Sequence, residues 1–190
     1  MKRIVFFLFL SLCSFSIHAA TIADVQFDES ITLPDVDQPL VLNGLGIRYK
    51  FFFKIYIAAL YLSKKSQQPA TIVTDPGPKR IVMHFLYDDV PARKLVDAWN
   101  EGFANNLSAT QFEKLKPRIE RFNAQFESVT TGDVVTLDYM PGEGTLVTIK
   151  GHRKTVIPGA DFNAALLDIW LGKDPVDEEL KEALLGLSDD

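Results

Sequence analysis

The sequence predicts an α+β fold: a mainly antiparallel sheet backed by a layer of helices. Three observations predict it. From Val41 to Tyr87, runs rich in β-branched and aromatic residues alternate with turn signals. From Asp89 to Phe126 the apolar spacing changes to steps of three and four. A hairpin outline and two further helical stretches then complete the chain, an order that suits segregated layers rather than alternating βαβ units.

Taken in order, Val41 to Ile47 (VLNGLGI) reads as a strand carrying Gly44 and Gly46, and glycine inside a strand marks a bulge or a close backbone approach. Phe51 to Leu62 (FFFKIYIAALYL) is apolar on both faces and reads as a central strand covered on both sides. Asp75-Pro76-Gly77-Pro78 is a turn, and Ile81 to Tyr87 is another strand. Asp89-Val90-Pro91 opens a helix to about Asn105, with the aspartate as cap and Val90, Leu95, Ala98, Trp99 and Phe103 near helical spacing. Phe112, Leu115, Ile119, Phe122 and Phe126 form one apolar helical stripe, which Pro117 is expected to kink or divide. Val134 to Met140 and Leu146 to Lys150 flank Pro141-Gly142-Glu143-Gly144 as a hairpin, and Lys154 to Ile157 adds a short strand. Ala160 to Leu171 is an apolar helix stopped by Gly172, and Asp174-Pro175 starts the last helix, which ends before Gly186.

Residues 1–20 stand apart. Lys2 and Arg3 precede a run from Ile4 to Leu12 that is apolar apart from Ser11, and Ala19-Ala20 closes it, the order of a secretory leader. The run is about half of what a membrane span needs. The expected organisation is a cleaved signal peptide at 1–20, one domain at 21–187 and a loose acidic end at 188–190. The expected location is outside the cytoplasm, periplasmic in a Gram-negative cell and otherwise secreted. Cleavage removes two of the 20 basic residues and none of the 25 acidic ones, moving the net charge from −5 to −7. It also removes Cys13, the one cysteine, so the remaining chain has no thiol to oxidise.

Composition narrows the chemistry. An acidic chain with no concentrated basic face is a poor nucleic-acid partner. One cysteine excludes a disulfide framework and any metal site built from cysteines. His84 and His152, the histidines beyond the leader, lack ligand spacing, so no metal is expected. No phosphate-cradling loop, dinucleotide fingerprint or GxSxG elbow occurs, and no cofactor is implied. Asp88-Asp89 sits at a strand-to-helix corner, where capping explains it better than a catalytic pair.

Four polar side chains lie in apolar surroundings: Arg48 at a strand end, Tyr56 between Ile55 and Ile57, Tyr87 before the first long helix, and Lys94 within it. A guanidinium beside a buried cleft can hold a carboxylate or phenolate through paired charge-assisted bonds. A tyrosine hydroxyl can add a second bond while its ring packs against an apolar ligand. The same four also fit an ordinary protein rim, with Arg48 in a surface ion pair.

LNGLGIRYK, KIYIAALYL, LYDDVPARKLVDAWNEGF, GDVVTLDYMPGEGTL and ALLDIWLGKDPVDEELKEALLG, in that order from Val41 to Gly186, resemble the chalcone isomerase-like family in its exported bacterial branch. The resemblance implies an open-faced β-sandwich, with a cleft for a hydrophobic ligand between sheet and helices. Of the four polar positions of the plant isomerases, Arg48 and Tyr87 match the arginine and a tyrosine. Tyr56 stands at the threonine position and Lys94 at the asparagine position. The extra ring of Tyr56 should narrow a pocket for a flat aromatic substrate. The resemblance to fatty-acid-binding members is stronger, because they pair an arginine with a tyrosine at these two places.

What this implies is a non-catalytic binder of a fatty acid or similar hydrophobic carboxylate, with Arg48 and Tyr56 on the head group and Tyr87 and Lys94 at the mouth. One alternative is an intramolecular lyase using Arg48 and Tyr87. Another is an interaction scaffold, for which a closed, fully packed cleft is expected. The implied partner is a small amphiphilic acid, with no nucleic acid and no stable membrane span after cleavage; oligomeric state is left open.

Overall fold

The computed structural model describes residues 19–34 and 36–188. Residues 1–18 of the expected leader, with Cys13, and Asp189-Asp190 of the expected acidic end lie outside the described residues. A seven-stranded antiparallel meander carries the fold: β3 (Ser30–Ile31), β4 (Leu40–Lys50), β5 (Phe53–Leu62), β6 (Lys79–Phe85), β7 (Val134–Met140), β8 (Gly144–Ile149) and β9 (His152–Ile157), hydrogen-bonded in chain order. A separate hairpin pairs β1 (Ala19–Ile22) with β2 (Val25–Asp28). Ala19 and Ala20, at the end of the expected leader, pair there with Asp28 and Phe27. Helices α1 (Pro69–Thr74), α2 (Ala92–Asn106), α3 (Ala109–Asn123), α4 (Ala160–Leu171) and α5 (Glu178–Leu184) complete the α+β architecture expected from sequence.

β5 is apolar on both faces because both faces are covered. Tyr56, Ala58, Leu60 and Leu62 join the large core under the helices, with Trp99, Phe103, Phe122, Phe162 and Trp170. Ile57, Ala59 and Tyr61 face the other way and pack with Phe27, Leu33, Leu40 and Leu42. The alternation is the period-2 consequence of strand geometry, and it places successive β5 residues in different cores.

The strand does not begin where the apolar run begins. Lys50 pairs with Phe53, so Phe51 and Phe52 form a two-residue turn and stand 84% and 96% exposed. Reading all of Phe51 to Leu62 as a covered strand is therefore corrected at its first residues. β6 likewise stops at Phe85, and Tyr87 lies in the following connection, where the Leu86 and Tyr87 N–H groups both donate to the Ile55 carbonyl at 2.9 and 3.2 Å.

The helix starts also differ from expectation. Pro91, not Asp89, occupies the N-cap of α2, and the Ala92 N–H donates to Ser128 Oγ at 3.1 Å. A hydroxyl from a distant loop thus does the capping assigned to a local aspartate; Asp88 instead accepts from Thr131 Oγ1 at 2.8 Å. Asp177 rather than Asp174 caps α5, its Oδ1 accepting the Leu180 N–H at 3.0 Å. Pro117 does not divide α3. Ser108 and Gln111 form a reciprocal capping box at its start, while Leu115, Ile119 and Phe122 bury the stripe on both sides of the proline. Pro117 and Glu113 are both solvent-exposed, so the Glu113 carbonyl that loses its helical donor is open to water.

Gly44 and Gly46 are where α5 lies against β4. A β-carbon on Gly44 would overlap the Ala183 carbonyl oxygen and meet that of Leu184 at 2.7 Å; one on Gly46 would meet the Ala183 side chain at 2.6 Å. The register also shifts between Leu42 and Gly44. Bulge and close approach, both expected of strand glycines, occur at one place. Buried Asn43 fastens it, donating to the Leu184 carbonyl at 2.7 Å and accepting the Ser66 N–H at 2.7 Å.

Candidate functional site

Where the sheet end formed by β4, β5 and β6 meets α2, the layers enclose a cleft of about 520 Å³, within the span typical of small-molecule sites. Its apolar wall includes Ile55, Met83, Phe85, Leu95, Trp99 and Val176. Met83, Phe85 and Tyr56 share a sheet face by strand alternation, and Leu95 and Trp99 share a helix face by their four-residue spacing. His84 points to the opposite sheet face from Met83 and Phe85, and burial lowers its pKa, so it carries no charge near neutrality.

All four side chains singled out by sequence, Arg48, Tyr56, Tyr87 and Lys94, line this cleft. Arg48 and Tyr56 are direct cross-strand partners on β4 and β5, and the Arg48 guanidinium carbon lies 5.8 Å from the centre of the Tyr56 ring. Tyr56 is buried, with its ring tilted against Phe85 at 5.6 Å. Tyr87 and Lys94 are exposed at the mouth, Tyr87 packing edge-on against Phe53 at 5.5 Å.

The deep polar groups are not paired as an ordinary rim would pair them. Among the described residues Arg48 forms no salt bridge. Its Nε is buried without a hydrogen-bond partner, as is Nε1 of Trp99 in the same wall. A buried donor left unmade costs about 1–3 kcal/mol, so such donors call for an account. Tyr56 Oη accepts a hydrogen bond from Trp170 Nε1 at 3.1 Å. That bond uses the oxygen and leaves the phenolic proton free to donate. Burial raises the Tyr56 pKa more than Arg48 lowers it, which keeps that proton in place near neutrality.

The mouth is more balanced than expected from sequence. Lys50 and Lys94 are joined there by Asp89, Asp97 and Glu101. The carboxylates were not legible as a cleft rim, since α2's polar face reads from sequence as a solvated surface. Trp170 was missed as well: nothing in the α4 pattern distinguishes a tryptophan that fills the core from one that also orients a tyrosine.

Against known proteins, the sequence profile of the family described as chalcone isomerase-like matches residues 19–186. The chain belongs to the chalcone isomerase-like family. The match extends the sequence resemblance forward from Val41 to take in the β1–β2 hairpin. Among solved structures, a fatty-acid binding protein of Arabidopsis thaliana is similar at a TM-score of 0.67 and 16% identity, over 88% of this chain and 96% of that one. At that identity the likeness shows the fold. No curated protein sequence matches the chain. The cleft here is open, not the closed and packed one that would have favoured an interaction scaffold.

Proposed function

We propose that this chalcone isomerase-like protein is a non-catalytic binder of a fatty acid or similar hydrophobic carboxylate. The observation that carries the proposal is the buried, unpartnered Nε of Arg48 in the wall of an apolar cleft. A carboxylate is the ligand group best matched to it: planar, anionic and able to accept paired bonds from a guanidinium. The Tyr56 proton supplies another donor beside it, and the apolar wall takes the tail. The fatty-acid binding protein of like fold supports the same class of ligand. The phenolic ring of Tyr56, buried against Phe85 at the position where the plant isomerases carry threonine, narrows the pocket for a flat aromatic substrate. The apolar leader over 1–20 supports export as part of the proposal.

The test is extraction of the purified protein with organic solvent, followed by mass spectrometry. A long-chain acid recovered at near-equimolar amount is the expected result. Recovery of neutral lipid alone, or of no amphiphile, overturns the reading.

A further inference from the structure

The hairpin between β4 and β5 is built against the usual rules for a turn. A two-residue hairpin loop with its first residue at positive φ ordinarily takes glycine there, yet this one has Phe51 at φ 58°. Phe52 follows, more exposed than any other large apolar side chain among the described residues. Six large apolar or aromatic residues are exposed among those described, and five of them (Tyr49, Phe51, Phe52, Phe53 and Tyr87) gather at this tip and the adjoining cleft mouth. Folding gains nothing from such a placement. Local strain and exposed apolar surface together are the mark of a segment kept for an encounter.

The shape of the tip narrows the partner. Lys50 and Lys54 flank the three phenylalanines in sequence, so ammonium groups can reach outward while the rings enter an apolar phase. Three rings offer roughly 150–250 Å² each, on a convex turn, against about 800 Å² per partner for a standard protein interface. A second copy or a folded partner is therefore poorly served. A fluid apolar phase needs no complementary surface. Asp177, Glu178 and Glu179 stand beside Tyr49 and Phe51, and Asp89, Asp97 and Glu101 face the mouth, so attraction to anionic head groups is opposed locally.

We propose that the Tyr49–Lys54 tip docks the protein on a lipid bilayer by inserting Phe51 and Phe52. Phe51 and Phe53 also line the cleft, so docking brings its mouth to the acyl phase, where a hydrophobic acid can pass between bilayer and cleft. That second step rests on the fatty-acid reading; docking itself does not.

Phe52 does not line the cleft, which makes it the residue to change. The full chain carrying F52W is mixed with phosphatidylcholine vesicles containing brominated acyl chains. The added indole is expected to shift to the blue and be quenched, relative to the wild type. F52S is expected to lower partition onto phosphatidylcholine vesicles about tenfold, with little change when phosphatidylglycerol is included, and to bind palmitate in solution as tightly as the wild type. An emission unaltered by vesicles overturns docking while leaving acid binding intact. A blue shift that appears without vesicles and grows with protein concentration overturns it in favour of self-association. A quenched tip in a protein that binds no palmitate upholds docking and rejects the fatty-acid reading.

Discussion

Replacing Arg48 by methionine weakens binding of a long-chain carboxylate at least about 100-fold, without loss of thermal stability in the free protein. The magnitude follows from two costs. Hydrogen bonds to a charged group contribute about 1.5–3 kcal/mol, and a carboxylate stranded in an apolar cleft loses about 3–5 kcal/mol when its partner is removed. The first corresponds to roughly 10- to 100-fold in Kd and the second to roughly 100-fold or more, so the stranded anion sets the floor. Stability holds because Arg48 Nε makes no hydrogen bond and the side chain forms no salt bridge among the described residues. Methionine keeps much of the stem's packing and removes a donor that nothing satisfies. Calorimetric titration with palmitate reads the first half and thermal unfolding the second. An unchanged Kd removes Arg48 from the site; a large fall in Tm makes it a structural residue instead.

Gly44→Ala unfolds the protein far more readily than a single methyl group suggests, by about 3 kcal/mol and therefore roughly 6–12 °C in Tm. The contacts a β-carbon would make are with the main chain of α5 at Ala183 and Leu184, which no rotamer change can relieve. Moving α5 away breaks the Asn43 bond to the Leu184 carbonyl and lifts Leu180 and Leu184 from the core. A thermal unfolding scan measures it; a shift under about 2 °C would mean that α5 slides without cost. Gly142 needs its glycine for another reason: a β-carbon there meets nothing within 4 Å, but its φ of 84° strains any side chain.

These two glycines also illustrate how far the sequence can be read. Gly44 inside an apolar strand announced a bulge or a close approach, and both occur; which element approached was not legible. The both-faces burial of β5 and the bounds of α4 followed from local pattern alone. β1, β2, β3 and α1 did not, being two to six residues long and too short for either period to emerge. The start of α2 failed for a different reason. Ser128 caps α2 from 36 residues away, and no local motif encodes that. In the site, Arg48 and Tyr56 stood out as polar groups in apolar runs and proved to be cross-strand neighbours. The bond from Trp170 to Tyr56 joins residues 114 apart, so the free phenolic proton depends on a tertiary contact. Phe51 and Phe52 misled because three phenylalanines before an apolar strand look like more strand. Only the Lys50–Phe53 pairing reveals that two of them form a turn.

The most direct test of a carboxylate-binding cleft compares two ligands that differ only in the head group. Palmitate and hexadecanol share a tail and share its burial against Met83, Phe85, Leu95 and Trp99, but only palmitate offers an anion to Arg48. Titrated into the wild-type protein below their aggregation limits, palmitate is predicted to bind at least about tenfold more tightly. Equal affinity for acid and alcohol would contradict the account, leaving a greasy cleft with no part for the buried guanidinium.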